Sequence, residues 1–410
     1  MSIHHVFPNP DHQQRLRAGP LAGDIDGFAA WLAGEGYSHS SARDKLLLTA
    51  DLSLWLAEQG LELETVNEQR VEAFMHSRKA RRGDPATGRQ LLAYLRDRNR
   101  VPPALCAPPG DGGLERIACT YERFLIEQRA VSPATVRNYL PVVRAFLDER
   151  LGSREIDLAS LSARHVNQFV RREAERLSRS RAKLVVTALR SFLRHLHQQG
   201  ELPADLASAV LPVMRWRLSG LPRSLAPEQV MALLASCDRE TLSGRRDYAI
   251  LLLLARLGLR AGEVAALTLD DFDWHAGIVT VAGKGQRREP LPLPHEIGEA
   301  LAAYLQDGRP ACATRRLFIR SKAPLQGFRS AAAICDIVRR ALARAGIDSA
   351  FKGAHLLRHS LATGMLRNGA SLEDIGEVLR HRHPETTQIY AKVDLESMRA
   401  LAPVWPGGVA

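Results

Sequence analysis

The stretch from residue 355 to 390, HLLRHSLATGMLRNGASLEDIGEVLRHRHPETTQIY, gathers reactive side chains at intervals that packing alone would not require. His355, Arg358 and His359 fall at i, i+3 and i+4, so on a helix they share one face, while Leu357, Leu361 and Met365 supply an apolar stripe for the core. His381 follows, and Tyr390 lies nine residues after it. Arg260 and Lys284 stand far upstream. A phenol becomes a nucleophile once it loses its proton, and histidines carry protons near neutral pH. A planar guanidinium grips two phosphate oxygens at once and stays charged throughout. A set of this kind suits transfer at a phosphate ester.

The surrounding residues say how such a set is positioned. Gly369 suits a C-terminal helix stop, Ser371 with Asp374 three residues on reads as a helix start, and Ile375, Val378 and Leu379 give that helix its buried side. It is expected to run out at His381. Pro384 then interrupts the chain, and Thr386 or Thr387 can cap a last short helix that carries Tyr390. Upstream, residues 246–257 read as a buried helix ended by Gly258, just ahead of Arg260. Residues 278–282 and 289–293 alternate as two short strands, with Lys284 in the tip GKGQRR between them. Another helix covers 338–345.

At 410 residues the chain is long enough for two or three cores. Its 56 Lys plus Arg against 45 Asp plus Glu leave a formal charge of +11, which favours a polyanionic partner, nucleic acid first. Five cysteines without a CxxC pair argue against a disulfide framework or a cysteine zinc site, and a reducing cytoplasm is the expected compartment. The N-terminus has no apolar signal region, and the longest apolar run, Ala249 to Ala255, stops far short of a membrane span. No membrane contact is expected.

Residues 1–20 read as a flexible lead-in. Helices are expected at 23–35, 39–59, 67–79 and 84–98, forming a four-helix domain over 21–100. A Pro/Gly linker, 101–113, separates it from a second set at 114–129, 133–150, 161–176 and 181–199 within a domain spanning 114–205. The sets look like copies. Trp31-Leu32 aligns with Phe124-Leu125, Trp55-Leu56 with Phe146-Leu147, Phe74 with Phe169, and Tyr94-Leu95 with Phe192-Leu193, at offsets between 91 and 98. Amphipathic helices of similar length also align passably without common origin. Arg179, Arg181, Lys183, Arg190 and Arg194 make a basic face in the second set, and Arg215 and Arg217 lie in a basic linker, 206–226. These seven are the candidate DNA-phosphate contacts, although a solvated face is the plainer reading. In the first set, Arg78, Lys79, Arg81 and Arg82 form a cluster that falls where the second carries Arg171, Arg172 and Arg176.

Read together, LGLRAGEVAAL at 257–267, VAGKGQRREPLPL at 281–293, HLLRH at 355–359, LRH at 379–381 and TTQIY at 386–390 resemble the tyrosine recombinase (phage integrase) family. The resemblance covers roughly residues 114–395. It departs at Arg380, where the family usually has Gly, and at Gly364, often a His. The resemblance implies a multidomain protein: an all-α helical DNA-binding domain of SAM-like four-helix type, of which the first helical set would be a duplicate by its aligned anchors, then a mixed α+β, mainly helical catalytic domain over 227–410 that ends in a docking tail. It implies site-specific cutting and rejoining of DNA through a 3′-phosphotyrosine link, for integration, excision or transposition of a mobile element. No nucleotide cofactor is expected, because that link conserves the bond energy, and no metal is expected either. By position, Tyr390 is the nucleophile and His355 its base. Arg260 and Arg358 hold the phosphate, His381 donates to it, Lys284 protonates the leaving 5′ oxygen, and Glu263 orients its neighbours.

The partners this implies are double-stranded DNA sites, a homo-tetramer in the synaptic complex formed from monomers in free solution, and accessory recombinases. Leu395 to Leu401 is the expected docking segment. Duller readings remain for each piece. Arg260 and Glu263 could be a helix-end ion pair, the Gly-Lys-Gly tip any hairpin, and Tyr390 a core residue. Two other functions fit part of the pattern: a catalytically silent DNA-binding relative, and a metal-dependent hydrolase using His355, His359, His381 and His383. Against the latter, Leu356 stands where HExxH has its glutamate.

Overall fold

In the computed structural model, the described residues are 7, 9–79, 81, 83–103, 113–151, 158–213, 223–283 and 287–393. Lys284, Arg82, Arg215, Arg217 and the expected docking segment 395–401 lie outside them. The chain divides into two units, one formed by Met1–Val101 with Gly220–Ala410, the other by Pro102–Ser219.

The first unit begins with α1 (Pro10–Leu16), α2 (Ile25–Gly34), α3 (His39–Glu58), α4 (Glu68–His76) and α5 (Asp84–Asp97). Asn9, Ser38 and Asn67 cap α1, α3 and α4 with side-chain oxygens, each satisfying a free backbone N–H of the first turn. Residues 1–20, expected as a flexible lead-in, contribute to the core, because Phe7, Leu16 and the following Leu21 are buried against it. The polar composition of that segment hid two apolar anchors, Phe7 and Leu16. Phe28, Trp31 and Tyr94 bring their rings within 5.1 to 6.1 Å of one another at the centre.

The second unit holds α6 (Gly113–Arg123), which continues as a π-helical turn over Phe124–Gln128, then α7 (Pro133–Leu151), α8 (Ala163–Arg176) and α9 (Arg179–Gln198). Ser132 accepts the Thr135 N–H at 3.3 Å, so the cap expected before Pro133 is present. Phe146, Phe169 and Phe192 are buried with Leu147, Leu189 and Leu193. The aromatic-Leu anchors of the two helical sets thus serve a core in each.

The rest of the first unit is built around α11 (Leu242–Arg256), preceded by α10 (Pro227–Ala235). Every residue from Ala249 to Ala255 is buried, and each of its four leucines contributes about 1.5–3 kcal/mol of burial. Next come α12 (Ala261–Ala266), β1 (Phe272–Asp273), β2 (Ile278–Ala282), β3 (Arg288–Pro292), α13 (His295–Asp307), α14 (Ala331–Arg344), α15 (His355–Arg367) and α16 (Leu372–Val378). The strands form an antiparallel sheet in the order β1-β2-β3, with Val279 and Val281 of β2 facing the core. A 3-10 segment, Pro384–Val393, closes the described chain.

Gly258 joins α11 to the residues that follow. Its φ is +57°, and a Cβ there would lie 2.8 Å from Leu379 Cδ2 and 3.0 Å from Leu361 Cδ2. We predict that Gly258→Ala destabilises the protein by about 2–3 kcal/mol, combining left-handed strain with the close approach. Urea unfolding should give a lower midpoint at unchanged slope; an unaltered midpoint would show that the turn tolerates a side chain.

Candidate active site

Three segments distant in sequence meet at one place. α11 and the Gly258 turn deliver Arg260, which is the N-cap residue of α12. Glu263, at the third position of that helix, reaches back to accept the Arg260 backbone N–H at 2.8 Å and its Nη1 at 2.6 Å. The ion pair offered as the duller reading of Arg260 therefore exists. It also aims the remaining nitrogen, since Arg260 Nη2 lies 3.4 Å from the Arg380 carbonyl.

Helix α15 carries His355, Arg358 and His359 along one face. Arg358 is buried and donates to two carbonyls, Gly258 through Nη1 and Leu379 through Nη2. That guanidinium clips the end of α16 to the turn after α11. Burial, with Arg260 and Arg380 nearby, lowers its pKa to about 10, so it stays charged at neutral pH.

Tyr390 is only 1% exposed, and its phenol oxygen lies 2.8 Å from His359 Nδ1. Burial pushes its pKa up to about 12, against the opposing pull of Arg358. The histidine that meets the phenol is thus His359, which the sequence placed on the right face without a catalytic role. His355, one turn earlier at the start of α15, has its ring centroid 6.4 Å from that of His359. Burial and neighbouring cations hold both histidines below the ordinary imidazole range.

His381 follows Arg380, whose φ of +53° turns the chain sharply after α16. Helix α16 ends at Val378, earlier than expected, because this left-handed residue cannot continue it. His381 Nδ1 pairs with Thr387 Oγ1 at 2.8 Å, so Thr387 orients the imidazole instead of capping the last segment. Burial, then Arg358 and Arg260, bring the His381 pKa down to about 4. The ring is neutral at pH 7.

Arg380 is a member of the site that the motif pattern did not supply. Its side chain is 7% exposed, its Nη2 donates to Glu263 Oε2 at 2.7 Å, and its Nε lies 3.6 Å from Glu289 on β3. Burial pulls the Glu263 carboxyl pKa up, but the Arg260 N–H, Arg380 and the Arg260 guanidinium outweigh it, and the net shift is downward.

Elsewhere, Arg179, Lys183 and Arg194 lie exposed along α9, spaced to fall on one face. Arg190 shares that face but donates to the Val210 carbonyl at 2.7 Å. Arg181 points from another face, 3.4 Å from Asn138 Oδ1. In the N-terminal cluster, Arg78 is paired with Asp84 at 2.8 Å and Asp51 at 3.7 Å, so its charge is already answered. Among the described residues no group of three His, Cys, Asp or Glu side chains is placed to hold a metal ion, and no helix is long and apolar enough to cross a membrane.

Comparison with known proteins bears on this arrangement. The phage integrase family matches residues 223–397, and the phage integrase N-terminal SAM-like domain matches 119–200. An integrase/recombinase of Sinorhizobium fredii (strain NBRC 101917 / NGR234), y4rA, is 48% identical over 404 residues, 98% of either chain. The tyrosine recombinase XerD of Mycobacterium tuberculosis (strain ATCC 25618 / H37Rv) is 33% identical over 305 residues, 70% of this chain and 95% of its own. In structure, XerH bound to a palindromic difH substrate in a post-cleavage complex aligns with TM-score 0.56 and 20% identity, over 70% of this chain and 84% of that one. A lambda integrase (residues 75–356) dimer bound to a COC' core site aligns with TM-score 0.52 and 16% identity, over 67% and 94%. Both are likenesses of fold.

The histidine shifts predict a pH response. His381 binds its proton near pH 6.5 when unfolded but only near 4 when folded, so between those values the unfolded chain holds more protons. Stability should therefore fall as the pH drops from about 6.5 to 4, with His381 contributing at most about 3 kcal/mol. Thermal midpoints of the wild type and His381→Gln across that range check this; parallel profiles would remove His381 as the source.

Proposed function

The chain belongs to the phage integrase family of tyrosine recombinases, DNA strand-transferring enzymes, and on that premise we propose that Tyr390 is the nucleophile of a site-specific recombinase acting on a mobile element. The observation that carries this reading is the convergence of Arg260, Arg358, His381 and the His359–Tyr390 pair from three separate segments.

In the proposed step the Tyr390 phenol oxygen attacks the scissile phosphorus, the bond to the 5′ oxygen breaks, and a 3′-phosphotyrosine link remains. Ionising a phenol of pKa about 12 at pH 7 costs about 7 kcal/mol, so the proton needs an acceptor in place. His359 Nδ1, 2.8 Å away on a ring held neutral, is that acceptor. His355, the base by family position, stays beside Arg358 and Arg260 at the open end of the helix. Arg260 and Arg358 carry the charge that develops on the phosphorane, which tends to be the largest single contribution. His381, with Nδ1 engaged by Thr387, has Nε2 left to donate to a non-bridging oxygen. Lys284, which falls in sequence between β2 and β3, protonates the departing 5′ oxygen.

Further proposals concern the assembly. Double-stranded DNA is gripped by Arg179, Lys183 and Arg194 of α9 together with Arg215 and Arg217. Four protomers join two sites, with residues 394–410 docking into a neighbour. The two helical sets are a duplicated unit, and the first extends the DNA contact or binds a protein.

Selecting covalent adducts from a pool of random-sequence nicked duplexes gives a suicide substrate for this chain. On it, Tyr390→Phe should form no adduct yet keep site affinity, and His359→Gln should slow adduct formation about 10²–10⁴-fold at neutral pH, with the deficit shrinking as the pH rises. Adduct from the phenylalanine variant would end the role of Tyr390. A flat pH dependence of the His359 deficit would return the base to His355. Lys284→Ala should likewise be slow on an oxygen leaving group and fast when sulfur replaces the bridging 5′ oxygen, because a thiolate leaves unprotonated. An equal defect on both would reduce Lys284 to a phosphate contact.

A further inference from the structure

We propose that Arg380 supplies a third guanidinium to the phosphate pocket, with Nη1 as the donor to a non-bridging oxygen of the scissile phosphodiester; this rests on the recombinase reading of the site. Three observations converge on it. The first is an unanswered donor. Arg380 Nη2 is held by Glu263 at 2.7 Å and Nε faces Glu289 at 3.6 Å, but Nη1 is buried and has no hydrogen-bond partner among the described residues. A buried charged N–H without an acceptor is costly, so the described residues leave this guanidinium incompletely satisfied.

The second is placement. The Arg380 carbonyl receives Arg260 Nη2 at 3.4 Å, the preceding carbonyl of Leu379 receives Arg358 Nη2, and the following residue is His381. Arg380 is therefore inside the ring of phosphate-directed groups, and its charge is one of those that depress the pKa of both Arg358 and His381.

The third is the charge count. Arg260, Arg358 and Arg380 bring three cations, and the buried anion among them is Glu263; Glu289 lies at the edge, its side chain 43% exposed. The surplus is positive, with Arg358 and Arg380 buried and Arg260 partly open to solvent, which favours an anion with several oxygens over a neutral group. A phosphodiester supplies one negative charge at rest and a second as the phosphorane forms, so the interaction grows along the reaction path.

The backbone provides the means to test this. Arg380 has φ +53°, a region that glycine enters freely and arginine does not. Arg380→Gly therefore removes the guanidinium and relieves the backbone at once, so a loss of activity cannot be blamed on strain. Wild type, Arg380→Gly and Arg380→Lys should be compared in single-turnover cleavage of the selected suicide duplex, with affinity and thermal midpoint measured alongside. The same duplex should then be used with a methylphosphonate at the scissile position, which removes the phosphate charge.

On the phosphodiester, Arg380→Gly should cleave about 10²-fold slower at near-normal affinity, in the range found on removing one preorganised donor, and Arg380→Lys should recover part of the rate. On the methylphosphonate the deficit should fall to a few-fold. Wild-type rate in the glycine variant would overturn the proposal. So would an equal deficit on both substrates with a lowered midpoint, which would make Arg380 a structural tie between Glu263 and β3. A wild-type protein that forms no adduct in the selection would instead overturn the recombinase reading and, with it, this one.

Discussion

Three guanidinium groups crowd the site, and one buried carboxylate ties two of them together. Glu263 accepts the Arg260 backbone N–H and Arg380 Nη2 on Oε2, and Arg260 Nη1 on Oε1, so a single side chain answers a helix terminus and two cations. Its depressed pKa is the other face of the same interaction. Without that carboxylate, Arg260 and the buried Arg380 would repel each other where part of the site is shielded from solvent, and there unlike charges attract and like charges repel more strongly than in bulk water. Removing one partner of such a buried network costs much more than any exposed ion pair, because the others are left unanswered.

The same arrangement leaves the histidines neutral. His355, His359 and His381 all titrate below the ordinary imidazole value, with burial first and neighbouring cations among the causes. A neutral ring has one nitrogen that accepts and one that donates, which an imidazolium does not. His359 can therefore take a proton from Tyr390, and His381 can lean on Thr387 while its other nitrogen donates. The cations that would stabilise a phosphate thus keep the free enzyme's histidines ready for proton transfer.

Much of this was legible from residue type and spacing. Periodicity located the helices of both sets within a few residues, since amphipathic helices with Ser or Asn caps obey local rules. The i, i+3, i+4 spacing put His355, Arg358 and His359 on one face, but a face is about one turn deep. Which of the two histidines meets a tyrosine thirty residues on depends on how α16 and the 3-10 segment pack back, and no local rule carries that. Arg380 was noticed as a departure from glycine; its contacts were not readable, because Glu263 and Glu289 lie 117 and 91 residues away and meet it only through the tertiary fold. The short strand β1 and helix α10 were not legible for a simpler reason, since two and nine residues are too few to show a clear period.

Tyr390 sits on the least regular element of the site. A 3-10 backbone has poorer hydrogen-bond geometry than an α-helix, so Pro384–Val393 owes its place chiefly to side chains: Tyr390 and Ile389 against Ile375, Leu379 and Ala362, with Thr387 on His381. The two polar contacts divide the imidazoles in the same way. Each uses Nδ1, on Tyr390 in one case and Thr387 in the other, and the Nε2 of both rings makes no hydrogen bond among the described residues. One nitrogen of each ring therefore anchors the tyrosine segment, and the opposite nitrogen is left for the substrate. A ring shared in this way links the seat of Tyr390 to whatever occupies the pocket, and it does so without a dedicated hinge.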